Sequence, residues 1–177
     1  MRLGAKIFGT LGGLLILYLL AGSLLPGTWE AEFESAFPHP PSVVFPYLNQ
    51  IDRWSDWMPM PPSGSQLFGP PGGVGAGLRW DDPQYGKGEV RILGSLPDSQ
   101  VVYQVEVEGG ALRFRGTLTL VARQDGTLVR WREEGDFGWS PLMGYAARGM
   151  SASQTEAMEA SLQKLGEVLV EEPAGGL

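Results

Sequence analysis

Few side chains in this sequence have the chemistry for catalysis, and the most informative is an acid in an apolar strand. Glu133 follows Val129 and Trp131 at period two, which places it on their face of a strand. A carboxylate facing an apolar interior must be paired, hydrated or protonated, because isolated burial of its charge costs too much. The preferred reading from sequence is the blander one, a bulge near Gly135 that turns Glu133 to solvent. Were it to face inward, Tyr103 would be its natural partner in acid–base work, and these two are the only catalytic candidates. His39, the single histidine, lies between Pro38 and Pro40 and reads as an exposed loop residue rather than a base or a triad member. One histidine and no cysteine exclude the usual Cys/His zinc sites. Asp81 and Asp82 read as turn formers rather than calcium ligands, so neither metal nor cofactor is expected. The run Gly72-Gly73-Val74-Gly75-Ala76-Gly77 lacks the Lys-Ser/Thr of a phosphate loop and precedes strand-like residues.

The stronger signal is aromatic. Trp54 and Trp57 are three residues apart, so one helical turn brings both indoles to one side. With Trp80, Tyr103, Phe114 and Trp131, and with Met143 and Met150 from a helix, they form a candidate cavity wall. The alternative is that the same rings fill the core of a small domain.

These residues need elements to position them. Trp29, Ala31, Phe33, Ser35 and Phe37 alternate with Glu30, Glu32 and Glu34 as a strand. The Pro-His-Pro-Pro break ends it, and residues 42–48 read as a short helix with Val44, Phe45 and Leu48 on one face. Residues 58–77 read as loop, with one short strand around 66–68. From residue 78 the pattern is β. Short turns at residues 81–86, 96–99, 109–110 and 124–126 imply antiparallel pairing, since a parallel partner would need a long crossover. Ser140-Pro141 then starts a long helix, with Met143, Ala147, Met150, Gln154, Met158, Leu162, Leu165 and Leu169 on one stripe. Its first half is small (Gly144, Ala146, Gly149, Ser151, Ala152) and is expected to leave a pocket against the sheet, with Trp54 and Trp57 at one mouth.

The net charge is −7, and Arg2 and Lys6 are the only charges in the first 28 residues, so the remainder is more acidic still. That balance argues against nucleic acid, whose phosphates need a basic footprint. Residues 7–25 carry no charge and are about long enough to cross a bilayer as a helix, with Trp29 at the interface. The basic flank would keep the N-terminus cytoplasmic and the domain outside. The rival reading is a cleaved signal peptide at Ala21-Gly22-Ser23, which would leave a secreted domain. The expected organisation is therefore an anchor over 1–28, a ligand-binding domain over 29–171 and a tail over 172–177.

Pro40-Pro41 with Val44-Phe45 and Leu48, Trp54-x-x-Trp57, and Gly126-Thr127 with Val129-x-Trp131 and Glu134-Gly135-Asp136 form a pattern. Together with Leu162, Lys164 and Leu165, it resembles the START-like (helix-grip, SRPBCC) superfamily, in its polyketide cyclase/dehydrase and lipid-transfer branch. Glu133 departs from that pattern, in which an apolar residue is usual. The resemblance implies an α+β helix-grip fold, with a curved antiparallel sheet of about seven strands wrapped around a long C-terminal helix. One transmembrane helix would precede it. For function it implies a binding or transfer module for a small hydrophobic ligand, such as a lipid, sterol, polyketide or aromatic, and the N-terminal span, which lies outside the resemblance, would tether it to a membrane. A cyclase or dehydratase acting in the same cavity, and a structural domain that binds a protein partner, are the alternatives.

Overall fold

The computed structural model describes residues 2–61, 63–138 and 140–171, with side chains from Thr10 onward. Helix α1 (Arg2–Ser23) leads into β1 (Thr28–Phe37), α2 (Pro41–Asn49), a 3-10 turn (Ile51–Arg53) and α3 (Trp54–Trp57). Strands β2 (Gln66–Phe68), β3 (Gly77–Asp82), β4 (Gly86–Leu96), β5 (Gln100–Val107), β6 (Leu112–Arg123) and β7 (Gly126–Asp136) follow. The chain then forms α4 (Met143–Glu171). All seven strands make one antiparallel sheet in the order β1-β7-β6-β5-β4-β3-β2. The α+β sheet-and-helix architecture agrees with the helix-grip expectation. The expected 172–177 tail lies outside the described residues.

Alternation sets the two faces of the sheet. Trp29, Ala31 and Phe37 of β1, Val129 and Trp131 of β7, Leu118 of β6 and Tyr103 of β5 are buried, while Glu30, Glu32 and Glu34 are exposed. On the outer face Arg132 pairs with Glu30 at 2.9 Å and Arg130 with Glu32 at 3.2 Å. Such exposed pairs contribute about 0–1 kcal/mol each and serve mainly to keep that face in water. The inner face is covered by α4, which packs along β1 and α3 through Met158, Leu162, Leu165 and Leu169. Ser140 accepts a hydrogen bond from the Leu142 amide at 3.4 Å through its hydroxyl, and regular helix begins at Met143, two residues after Pro141.

The start of α4 departs from expectation. Its small residues do not open a pocket against the sheet: Gly144 admits the end of α1, while Ala146, Gly149 and Ala152 are exposed. A Cβ on Gly144 would collide with Leu25, and one on Gly22 would collide with the Pro141 carbonyl. Tyr18 stacks on Tyr145 at 4.5 Å, and the Tyr145 hydroxyl donates to the Tyr18 carbonyl at 2.9 Å. Gly149 is exposed, with open space around it.

The expected transmembrane span over residues 7–25 is not borne out. Among the described residues no helix is long and apolar enough to cross a membrane. Nor does Trp29 stand at a membrane interface; it is buried in the domain against Phe114, at 5.5 Å between ring centroids.

A buried carboxylate in an aromatic cavity

Three strands in register build the centre of the site. Tyr103 on β5 pairs with Gly116 on β6, and Gly116 pairs with Glu133 on β7. Because residue 116 has no side chain, the Tyr103 ring lies across β6 where a Cβ would stand; any Cβ there would come closer than 3.0 Å to the ring. The phenol thereby spans the middle strand and its hydroxyl donates to Glu133 Oε1. Trp131, two residues before Glu133 on the same face, donates its indole N–H to the Tyr103 hydroxyl at 2.8 Å. From α4, Gln154 Nε2 donates to Glu133 Oε2 at 2.6 Å.

Glu133 therefore faces inward at 3% exposure, which corrects the preferred reading from sequence. The bulge expected near Gly135 is absent: residues 133 to 135 keep regular register against both β1 and β6. Gly135 instead makes room for the Trp29 indole, since a Cβ there would meet its ring. Burial pushes the Glu133 carboxyl above its ordinary value, against the hydrogen bonds from Tyr103 and Gln154 that pull it down. Burial also drives the Tyr103 phenol well above its usual range, and the adjacent carboxylate adds to that rise.

The cavity around this cluster has a volume of about 330 Å³ and lies between the inner face of the sheet, the segment after α3 and the middle of α4. Trp54, Trp80, Tyr103, Phe114 and Trp131 line it, with Met58, Met60 and Met158. Among its lining residues Pro59, Tyr85 and Ala157 are exposed, so the cavity meets solvent there. The Tyr85 turn is held by Asp82, whose carboxylate accepts from the Gln84 and Tyr85 amides at 2.8 and 3.2 Å and from Ser63 at 2.6 Å. Its Ser63 hydrogen bond leads the interactions that hold this carboxyl below its usual value. Asp81 pairs with Lys87 at 2.9 Å. Among the described residues no group of three or more His, Cys, Asp or Glu could hold a metal ion.

The structure thus brings together Trp54, Trp80, Tyr103, Phe114, Trp131 and Glu133, and leaves out Trp57, Met143 and Met150. Trp57, at 1% exposure, is no mouth residue. It packs on Trp131 at 5.6 Å behind the wall, and its indole N–H donates to the Tyr47 carbonyl at 3.1 Å. Trp54 likewise donates to the Leu48 carbonyl at 3.1 Å, so both tryptophans tie α3 back to the last carbonyls of α2. Met143 and Met150 belong to the first half of α4, whereas the cavity uses Gln154, Ala157, Met158 and Ser161. Sequence reasoning missed Gln154, although it is the polar member of an otherwise apolar stripe. It also missed Gly116, a glycine inside a strand, where close approach of another group is the usual cause.

Residues 28–170 match the family model described as polyketide cyclase / dehydrase and lipid transport. The chain belongs to that family, and its domain is of the ligand-binding or cyclase type. No curated protein matches the chain. Among solved structures, protein MLL2253 from Mesorhizobium loti is similar over 82% of this chain and 99% of its own, at 21% identity and a TM-score of 0.60. Protein SA2116 from Staphylococcus aureus covers 81% of this chain and 94% of its own, at 13% identity and a TM-score of 0.64. The di-domain ARO/CYC BexL from the BE-7585A biosynthetic pathway is 17% identical over 82% of this chain, with a TM-score of 0.60. This chain spans 51% of that protein's length. At these identities the likeness concerns the fold alone.

Proposed function

We propose that this chain is a binding or transfer module for a small hydrophobic molecule, held between the sheet and the middle of α4. The observation that carries this reading is the cavity itself: about 330 Å³ with aromatic and methionine walls and one polar cluster at depth. Native mass spectrometry of the full chain, released from nonionic detergent, tests it. An apolar molecule should co-purify with the wild type and be lost from Ala157→Phe, which puts a ring into the opening. Wild-type protein free of any such molecule, and unresponsive to added lipids, sterols and aromatics, would leave a structural domain that binds a protein partner.

The module works at a membrane surface in this reading. Leu11, Leu14, Leu15, Ile16, Leu17 and Leu20 are all exposed, on every side of α1, and a bilayer would cover them. Vesicle flotation should therefore carry the full chain to the top of a gradient and leave a chain starting at residue 28 behind.

One observation favours a second reading, a cyclase- or dehydratase-type enzyme. The hydrogen-bonded Tyr103–Glu133 pair is buried at the cavity wall with a raised carboxyl pKa, as a general acid or base would be. Turnover abolished by Glu133→Gln, with ligand still bound, would select it over simple carriage.

A further inference from the structure

The cavity holds an acid with no cationic partner among the described residues that line it. Its described lining contains three titratable groups, Glu133 of β7, Tyr103 of β5 and Tyr85 of the β3–β4 turn, and no Lys, Arg or His. From α4 the cavity receives Gln154 and Ser161, both neutral, and from α3 Trp54. Arg115 and Arg132, adjacent in sequence to Gly116 and Glu133, are exposed on the opposite face of the sheet. Among the described residues the donors to Glu133 are neutral, Tyr103 on one oxygen and Gln154 on the other, and each carboxylate oxygen can accept a further bond. The walls around it are π faces: Trp54, Trp80, Tyr103, Phe114 and Trp131. A box of aromatic rings attracts a cation through their quadrupoles and tolerates an apolar body equally well.

Building on the cavity as a ligand site, we infer that its ligand is an apolar molecule ending in a protonated amine, with the ammonium at Glu133 and Gln154. An ammonium supplies the counter-charge that Glu133 lacks, and the rings replace part of its hydration. A neutral hydroxyl would add a third neutral donor and leave the charge uncompensated. A carboxylate such as a fatty acid would meet like charge with no cation to pair with, and is disfavoured. The acidic balance of the chain, −7 overall, also favours approach of cations.

Calorimetric titration of the full chain in nonionic detergent with three matched probes tests this. These are 4-phenylbutylamine, 4-phenylbutanol and 4-phenylbutanoate, which share a body and differ at the end group. The expected order is amine tightest by about ten-fold over the alcohol, with the carboxylate weakest. The amine's advantage should vanish in Glu133→Gln and in wild type at a pH low enough to protonate Glu133. The wild-type order needs no variant to fold, and comparison with Glu133→Gln removes any effect of micelle partitioning. Equal binding of all three probes overturns the amine inference and leaves the hydrophobic-ligand reading intact. An amine preference that survives Glu133→Gln also overturns it, because surface charge would then be the cause. No binding of any probe removes the ligand reading itself, and this inference with it.

Discussion

Substituting Gly116→Ala sets two opposite effects against each other. In a strand, alanine in place of glycine stabilises by about 0.5–1 kcal/mol through the lower entropy of the unfolded chain. Gly116 does not adopt a left-handed backbone conformation, so nothing in the main chain opposes the change. The side-chain argument points the other way. The added methyl would overlap the ring and hydroxyl of Tyr103. That ring cannot easily withdraw: it is bonded to Glu133 and Trp131 and packed edge-on against Trp54 at 5.0 Å. Overpacking of this kind costs about 1–3 kcal/mol. If the ring swings off Glu133, the buried acceptor left behind costs a further amount on the order of 1–3 kcal/mol. The steric effect should win, with a net loss of about 1–3 kcal/mol, read by urea unfolding. For a domain of this size that is roughly 2–4 °C of Tm per kcal/mol. The same substitution in a Tyr103→Ala background should be neutral or mildly stabilising, because the ring it strikes is gone. A double-mutant cycle over the four proteins isolates that coupling. If Gly116→Ala has the same effect in both backgrounds, the ring does not depend on the bare glycine and the account of the site is wrong.

Three further outcomes are expected. Tyr103→Phe removes the donor to Glu133 and the acceptor of the Trp131 indole, and should lower stability by about 1–3 kcal/mol in chemical denaturation. Glu133 has a raised pKa in the folded chain, so its stabilising contribution is full below its unfolded value, near about 4.3, and is lost as pH rises through the folded value. The stability gap between Glu133→Gln and wild type should accordingly shift in favour of the variant above about pH 4.3 and level off beyond the folded pKa; a pH-independent gap would mean that Glu133 does not titrate abnormally. Gly149→Ala, on an exposed part of α4 with open space around it, should stabilise by about 0.8–1 kcal/mol in thermal unfolding. A destabilised Gly149→Ala would instead show that this part of the helix is packed.

Much of this site was within reach of the sequence, and the part that was missed shows which information was absent. Period-two alternation assigned Glu133 to the face of Val129 and Trp131, yet alternation alone cannot tell a straight strand from one that bulges at Gly135. Register decides that question, and the turns set the register. A hairpin centred between Gly109 and Gly110 places Tyr103 opposite Gly116, which is the observed pairing even though residues Glu108–Gly110 form a short 3-10 turn. A second hairpin, centred between Gln124 and Asp125, places Gly116 opposite Glu133. A tyrosine, a glycine and a glutamate in line across three strands then have a physical reading before any coordinates exist. The glycine lets the ring cross the middle strand, and the acid receives its hydroxyl. What no local pattern could supply is the placement of α4 along the sheet. The stripe from Met143 to Leu169 says which side of the helix is apolar but not which turn meets the acid. That placement comes from the docking of α4 on β1 and α3, with the end of α1 beside Gly144, and it brings Gln154 to the cavity. Packing between β1 and α4, more than a hundred residues apart in sequence, thus accompanies the one local fact that matters here, the Gln154 amide donating to Glu133.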